Sequence, residues 1–298
     1  MKYLNVTEVS KKWNISERSV RDYCNKGRVI GAILEKNRWL IPENALKPER
    51  SIRHVVSEAS LLEVLKREKD SNLSGGIYHR LQIEMTYNSN HIEGSKLTHD
   101  QTRYIFETKT IGISDEAIAV DDIIETVNHF RCIDMIIDSA KVKLSESLIK
   151  ELHYVLKSGT SDAAKSWFRV GDYKLIQNEV GGIETTNPLE VKSKMRELLG
   201  WYNTLKEVNI IDIIEFHYRF ESIHPFQDGN GRIGRLIMLK ECLKHNIVPI
   251  LITNEYKNSY YRGLKEWRNE KGYLIDTCLF GQDIMKRYLD YFQIDYKK

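Results

Sequence analysis

The run from His224 to Arg235, HPFQDGNGRIGR, constrains the fold of this chain more than any other segment. Pro225 cannot continue a preceding helix, so the chain must turn near His224. Gly229 and Gly231 let the backbone fold closely and point successive N–H groups in one direction, as an anion-binding nest does. Helical periodicity resumes at this point, which predicts that the positive end of a helix faces the same place.

The side chains of this run suit the transfer of a phosphorus-containing group. Arg232 and Arg235 have a spacing that places both on one helix face, where they would bind a polyphosphate. Asp228 adds a hard oxygen ligand where Mg²⁺ normally bridges phosphates. His224 is the nearby group whose ordinary pKa suits a general base at neutral pH. We therefore predict a phosphoryl-type transfer site.

The same run matches the pattern HPF-x-[D/E]-GNG-R-x-x-R of Fic (filamentation-induced-by-cAMP) domain proteins, and the wider resemblance covers about residues 77–270. In that family a protein hydroxyl attacks the α-phosphate of ATP, and pyrophosphate leaves. The resemblance implies that His224 deprotonates the hydroxyl, that Asp228 holds Mg²⁺ and that Phe226 anchors the loop. It also implies the phosphate-binding residues, which are Gly229, Asn230 and Gly231 for the α- and β-phosphates and Arg232 and Arg235 for the outer phosphates.

A second motif lies upstream, in SNHIEG, Ser89 to Gly94. It ends a helical pattern over about residues 77–94, and its glycine is typical of a helix C-terminus. The segment resembles the Fic inhibitory motif [S/T]-x-x-x-E-[G/N], whose glutamate pairs with the second arginine of the catalytic motif. The resemblance implies a Glu93–Arg235 pair that removes a γ-phosphate contact and lowers basal activity. Some family members use this glutamate to remove AMP instead, and the sequence leaves that role open.

Two further segments extend the resemblance. The stretch 174–186, KLIQNEVGGIETT, has β-branched residues on both sides of two glycines, which predicts a hairpin. It corresponds to the Fic flap, which pairs with the backbone of the target as an added strand. The implied flap residues are Val180, Gly181, Gly182 and Ile183. The implied residues near the nucleotide base are Asn258, Tyr260 and Tyr261.

Residues 1–46 are predicted to form a unit of their own. Thr7 is expected to cap a helix from Glu8 to Trp13, and a second helix runs from Glu17 to about Asn25. Two short apolar runs then predict a hairpin. This order resembles the winged helix-turn-helix of excisionase-like and MerR-like proteins, whose second helix enters the DNA major groove. The implied DNA-binding residues are Arg18, Arg21, Lys36 and Arg38.

Charge and composition narrow the class of protein. Residues 1–50 carry 11 Lys/Arg and 6 Asp/Glu, a basic excess that favours an anionic partner there, although a module for protein contacts is the alternative. No apolar run approaches the roughly 18 residues of a membrane span, and no signal-peptide stretch opens the chain. We therefore expect a cytoplasmic protein. The four cysteines lack zinc spacing, which predicts reduced structural thiols.

These observations predict a mainly α protein, with a winged helix-turn-helix over 1–46 and a Fic-type helical bundle with a small β-hairpin flap over 47–298. The expected function is an autoinhibited protein adenylyltransferase that uses ATP and Mg²⁺ and modifies a Ser, Thr or Tyr hydroxyl of a protein or of itself. The alternative is a DNA-binding regulator whose Fic domain senses nucleotide, although an intact His224 favours the enzyme. Transfer of phosphate, UMP or phosphocholine stays open, as does a homodimer.

Overall fold

The computed structural model describes residues 2–25, 28–35, 38–48, 59–112, 117–180 and 183–296. The chain divides into two compact units, Met1–Val55 and Val56–Lys298, and each has its own hydrophobic core. Three predicted site residues, Lys36, Gly181 and Gly182, lie outside the described residues, as do the side chains of Val180 and Ile183. Within the described ranges, no helix is long and apolar enough to cross a membrane.

The first unit combines two helices with a small antiparallel sheet. Its elements are β1 (Tyr3–Leu4), α1 (Val6–Trp13), α2 (Glu17–Asn25), β2 (Ile33–Glu35) and β3 (Arg38–Pro42). The central strand β3 pairs with both others, so the strand order is β1-β3-β2. Val9, Val20 and Ile41 are almost fully buried between these elements. The assignment of this unit as a winged helix-turn-helix stays a prediction.

The start of α1 differs from the sequence-based expectation. Asn5, not Thr7, caps this helix: its side chain accepts the Glu8 backbone N–H at 2.9 Å, and the Glu8 carboxylate accepts the Asn5 N–H at 2.8 Å. The Thr7 hydroxyl donates to Glu17 at 2.8 Å instead. Both residues are good caps, and the reciprocal bond to a glutamate three residues along decides between them.

The arginines that were predicted to contact DNA are all exposed, but one of them is paired with a carboxylate. Arg18 and Arg38 are exposed. Arg21 is also exposed, but it pairs with Glu17 one turn earlier on α2 at 2.8 Å. DNA binding by this surface stays a prediction.

The second unit is a bundle of helices with one short hairpin. Its elements are α3 (Leu61–Asp70), α4 (Ile77–Ile92), α5 (His99–Thr108), α6 (Val120–Ser139), α7 (Glu146–Lys157), the hairpin β4 (Glu179–Val180) and β5 (Ile183–Glu184), α8 (Pro188–Thr204), α9 (Ile210–Ile223), α10 (Asn230–Lys244), α11 (Lys257–Glu266) and α12 (Gly272–Phe292). Short 3₁₀ turns precede the hairpin and α11. The predicted hairpin is confirmed, with Val180 opposite Ile183.

Helix α10 lies at the centre of this bundle. Almost all its residues are buried, including Arg232, Arg235 and Lys240, and it packs against α4, α6, α7 and α9. A helix that is buried on every side cannot be recognised by an amphipathic stripe. The turn between α9, which ends at Ile223, and α10, which begins at Asn230, contacts the end of α7, where Lys157 Nζ binds Asp228 at 2.7 Å.

Candidate active site

The turn between α9 and α10 has the backbone that its sequence requires. His224 caps the end of α9 with φ 51°, and its N–H donates to the Phe220 carbonyl oxygen at 2.9 Å. Gly229 caps the start of α10 with φ 81°, a conformation that favours glycine. The first-turn N–H groups of α10 have no partner within the helix, so they are available to an anion.

The loop is anchored by Phe226 and Asn230. The Phe226 ring is fully buried and stacks on the His153 imidazole with ring centroids 3.9 Å apart. The Asn230 amide accepts the Phe226 N–H at 2.8 Å and donates to the Phe226 carbonyl oxygen at 2.9 Å. Asn230 can therefore contribute to an anion site only through its backbone N–H.

His224 is held as a neutral imidazole. Burial, and then the positive charge of Lys174, lower its pKa to about 4, while the Glu221 carbonyl oxygen, Glu93 and Asp228 oppose this. At neutral pH the ring is therefore unprotonated and can accept a proton. Its Nδ1 is buried without a hydrogen-bond partner.

Asp228 and Arg232 belong to a cluster of charges at the start of α10. The Asp228 carboxylate binds Lys157 Nζ at 2.7 Å and Arg232 at 3.1 Å. Partial burial alone would raise the pKa of Asp228, but Arg232 and Lys157 hold it well below its ordinary range. The Asp228 side chain stays 51% exposed, so one face is open to a ligand.

Two more carboxylates complete this cluster from other elements. Lys157, which is 2% exposed, also binds Glu125 at 2.5 Å and Asp162 at 2.9 Å. Glu125 contacts Arg232 as well. Arg232 therefore has carboxylate partners on two sides before any phosphate arrives.

Arg235 is held by the end of α4. Its guanidinium donates to the Ser89 hydroxyl at 3.0 Å, to the Ser89 carbonyl oxygen at 2.9 Å and to Glu93 Oε1 at 2.7 Å. Arg235 is almost fully buried, whereas the Glu93 side chain is 28% exposed. Glu93 caps the end of α4, and Gly94 just beyond it has φ 105°, so the chain turns away there and leaves the Glu93 carboxylate beside Arg235.

Gly231 makes room for this pair. A Cβ atom at Gly231 would lie 2.3 Å from Glu93 Oε1 and 3.0 Å from an Arg235 nitrogen. A larger residue there would push Glu93 out of its position. The glycine therefore serves the Glu93 contact as well as the close approach of an anion.

The residues predicted near the nucleotide base divide into two groups. Tyr260 is fully buried, and its hydroxyl lies 2.7 Å from His217 Nε2, so it presents no free face. Its ring lies 5.8 Å from the Arg235 guanidinium and supports that side chain. Asn258 and Tyr261 are exposed on α11, and their role beside a base stays a prediction.

The sequence did not reveal the residues of α6 and α7 that enclose the loop between α9 and α10. Glu125 interrupts the apolar pattern of α6, and Lys157 ends the buried stripe of α7 that includes Leu152 and Leu156. A charge inside an apolar helical stripe is the available clue, because such a charge needs a partner. The identity of that partner depends on which helices pack together.

Comparisons with known proteins agree with this geometry. Residues 143–242 match the model of the Fic/DOC family. These residues form a Fic domain. The match includes the whole run from His224 to Arg235, and Glu93 lies outside it.

Two curated relatives align with most of this chain. A protein adenylyltransferase Fic of Drosophila grimshawi is 25% identical over 267 residues, which is 85% of this chain and 49% of that protein. A protein of the same name from Drosophila sechellia is 30% identical over 223 residues, 68% of this chain and 42% of that protein. The chain thus spans less than half the length of these curated relatives.

A solved structure shares the fold. The Fic domain-containing signaling protein of Bacteroides thetaiotaomicron superposes with a TM-score of 0.63 at 24% identity, over 80% of this chain and 98% of that one. The likeness extends beyond the matched Fic domain to most of the helical bundle.

Proposed function

We propose that this chain is a protein adenylyltransferase that transfers AMP from ATP to a Ser, Thr or Tyr hydroxyl, and that Glu93 holds it inactive. The observation that carries the proposal is a neutral His224 in the short turn that leads to the N-terminus of α10, where Asp228 and Arg232 bind each other. The names of its relatives support the same chemistry.

The reaction follows from these groups. The target hydroxyl oxygen attacks the α-phosphorus of ATP while its proton passes to the neutral His224 ring. The bond from the α-phosphorus to the bridging oxygen breaks, and pyrophosphate leaves with that electron pair. First-turn N–H groups of α10 and the helix dipole stabilise the developing charge. Arg232 faces the same end of the helix.

Asp228 fits the role of a Mg²⁺ ligand. Magnesium at phosphate sites takes one or two carboxylates and completes its shell with phosphates and water. The part of the chain that the structure describes has no group of three or more His, Cys, Asp or Glu side chains that could enclose a metal alone. A single half-exposed carboxylate next to the phosphate-facing helix end suits an ion that arrives with its nucleotide. That ion would neutralise phosphate charge.

The Glu93–Arg235 pair supports the inhibitory part of the proposal. A γ-phosphate that needs Arg235 must displace a carboxylate that is already bound at 2.7 Å and that repels it. ATP bound without this contact would present its α-phosphate poorly to the target hydroxyl. Wild-type protein should therefore be slow, and removal of Glu93 should accelerate transfer.

The test is intact mass after incubation of wild type and Glu93→Gly with ATP and Mg²⁺. Self-modification is the readout because no target is needed. We expect Glu93→Gly to gain one AMP and wild type to gain at least ten-fold less, as coupling energies between sites commonly give. The double variant Glu93→Gly, His224→Ala should gain none, because the base is absent.

Glu207→Gly is the matched control, since Glu207 is exposed in the loop between α8 and α9. It should behave as wild type. Equal AMP incorporation by wild type and Glu93→Gly would contradict the inhibition. No covalent adduct on Glu93→Gly with ATP, alone or with added lysate proteins, would contradict the transferase itself.

A further inference from the structure

A buried lysine, Lys174, lies at the base of the β4–β5 hairpin. Its side chain is 2% exposed, and its ammonium donates to Asn178 Oδ1 at 2.6 Å and to Thr185 Oγ1 at 2.5 Å. Among the described residues no carboxylate binds it, and burial lowers its pKa to about 8. Burying an ammonium whose only partners are neutral oxygens costs free energy of folding. The position of Lys174 therefore suggests a role other than stability.

These contacts join the two ends of the hairpin. Asn178 precedes β4, and Thr185 follows β5. The Thr185 backbone N–H donates to the Asn178 carbonyl oxygen at 3.3 Å, and the Thr185 hydroxyl reaches the same oxygen at 2.9 Å. The ammonium binds both side chains at once. We name Lys174, Asn178 and Thr185 the flap clamp.

The flap clamp is also bonded to the loop that follows His224. The Lys174 backbone N–H donates to the Pro225 carbonyl oxygen at 2.9 Å. The Asn178 amide donates to the Phe226 carbonyl oxygen at 3.1 Å. Since Phe226 is fully buried, the base of the hairpin is fixed to a rigid part of the catalytic loop.

The charge of Lys174 also acts on the His224 pKa. Apart from burial, the groups that act on the His224 pKa are Lys174, which lowers it, and the Glu221 carbonyl oxygen, Glu93 and Asp228, which raise it. One side chain therefore holds the hairpin and helps to keep the imidazole neutral.

We propose that Lys174 is a positioning residue: its ammonium joins the two ends of the hairpin, and its backbone N–H, together with Asn178, ties that base to the loop that carries His224. A target segment that pairs with the hairpin is then held in register with the base. The proposal rests on the proposed function for the roles of the hairpin and of His224. The stability of the flap clamp can be measured without catalysis. The clamp proposal and the proposed function can therefore fail separately.

Amide hydrogen exchange of the full chain tests the clamp. Lys174→Met removes the ammonium at similar volume, and Thr185→Val removes only the bridging hydroxyl. Because each change deletes a charge-assisted hydrogen bond, we expect exchange in 175–186 to accelerate about ten-fold or more in both variants. Thr186→Val, one residue along, is the matched control and should exchange as wild type. Wild-type exchange rates in both clamp variants would overturn the proposal.

A histidine NMR titration separates positioning from simple stabilisation. The His224 signal is assigned by its loss in His224→Ala. Lys174→Met should raise the His224 pKa by about one pH unit, since a neighbouring positive charge is gone. Lys174→Arg retains the positive charge and should keep the His224 pKa at about 4. The same His224 pKa in wild type, Lys174→Met and Lys174→Arg would overturn the electrostatic part.

Discussion

The two arginines of the catalytic motif lie one turn apart on α10 and are equally buried, yet they are held in different ways. Arg232 binds Glu125 and Asp228, which also share Lys157. Arg235 binds Ser89 and Glu93 at the end of α4. The first set is a network of several charges centred on the buried Lys157, and the second depends on a single carboxylate, Glu93, that is 28% exposed. Under the proposed function, Arg232 is therefore a fixed part of the fold, and Arg235 is the arginine that exchanges its carboxylate for a phosphate.

The largest effect should come from removing the centre of the Arg232 network. Lys157→Met leaves Glu125, Asp162 and Asp228 without their shared cation. We expect the free energy of unfolding to fall by about 3–5 kcal/mol, because a broken buried ion pair leaves uncompensated charge. Urea denaturation at pH 7 measures this.

Lys165→Met is the control for this change. Lys165 also binds Asp162, at 2.6 Å, but its side chain is 45% exposed. An exposed pair of this kind contributes about 0–1 kcal/mol, so the control should be close to wild type. Equal losses in the two variants would mean that the network is not a structural centre.

Glu125, which binds Arg232, and Glu93, which binds Arg235, can be compared directly. Their substitutions should change the free energy of unfolding by less than Lys157→Met does. Glu125→Gln weakens two charge-assisted hydrogen bonds in the interior, and we expect a loss of about 2–3 kcal/mol. Glu93→Gln should cost about 1 kcal/mol, because Arg235 keeps both bonds to Ser89. Urea denaturation of both variants checks the order. A larger loss of stability for Glu93→Gln than for Glu125→Gln would mean that Glu93, not Glu125, is the more important partner for the fold.

The smallest expected effect is on the pH dependence of stability, through His129, a fully buried imidazole whose pKa both arginines lower. Burial, then Arg232, then Arg235, lower its pKa from 6.5 to about 3. Between these values the unfolded state binds a proton that the folded state refuses, so the free energy of unfolding falls as pH drops below 6.5. His129→Gln should reduce the fall between pH 7 and pH 5.5 by about 1 kcal/mol. Urea denaturation at both pH values tests this, and an unchanged fall in the variant would refute it.

Much of the local structure was predictable because the signals act over a few residues. Pro225 ends α9, Gly229 adopts the positive φ that starts α10, and Asn187-Pro188 opens α8. The exception at α1 has the same kind of local cause: two good capping residues, Asn5 and Thr7, lie two positions apart, and the reciprocal bond of Glu8 favoured Asn5. Boundaries that depend on one cap are therefore the least certain part of such a prediction.

The site was predictable only in part. The pairing of Glu93 with Arg235 could be expected from the family resemblance, and the structure places the two side chains in contact. Tyr260 was expected beside a base but is buried against His217, because its ring packs in a hydrophobic cluster with side chains of α9 and α10. No local pattern reveals which tyrosine of an adjacent pair faces inward.

The sequence alone determined the turn between α9 and α10: a histidine at a helix end, a glycine-rich loop, and arginines one turn apart on the next helix. These features follow from backbone conformations and helical spacing, which neighbouring residues dictate. The tertiary structure decided what surrounds that turn. Glu125 binds both Lys157 and Arg232, Glu93 binds Arg235, and the Lys174 backbone N–H joins the base of the hairpin to the Pro225 carbonyl oxygen. Such pairs form between elements far apart in the chain, and only the packing of the helices brings their charges within reach of each other.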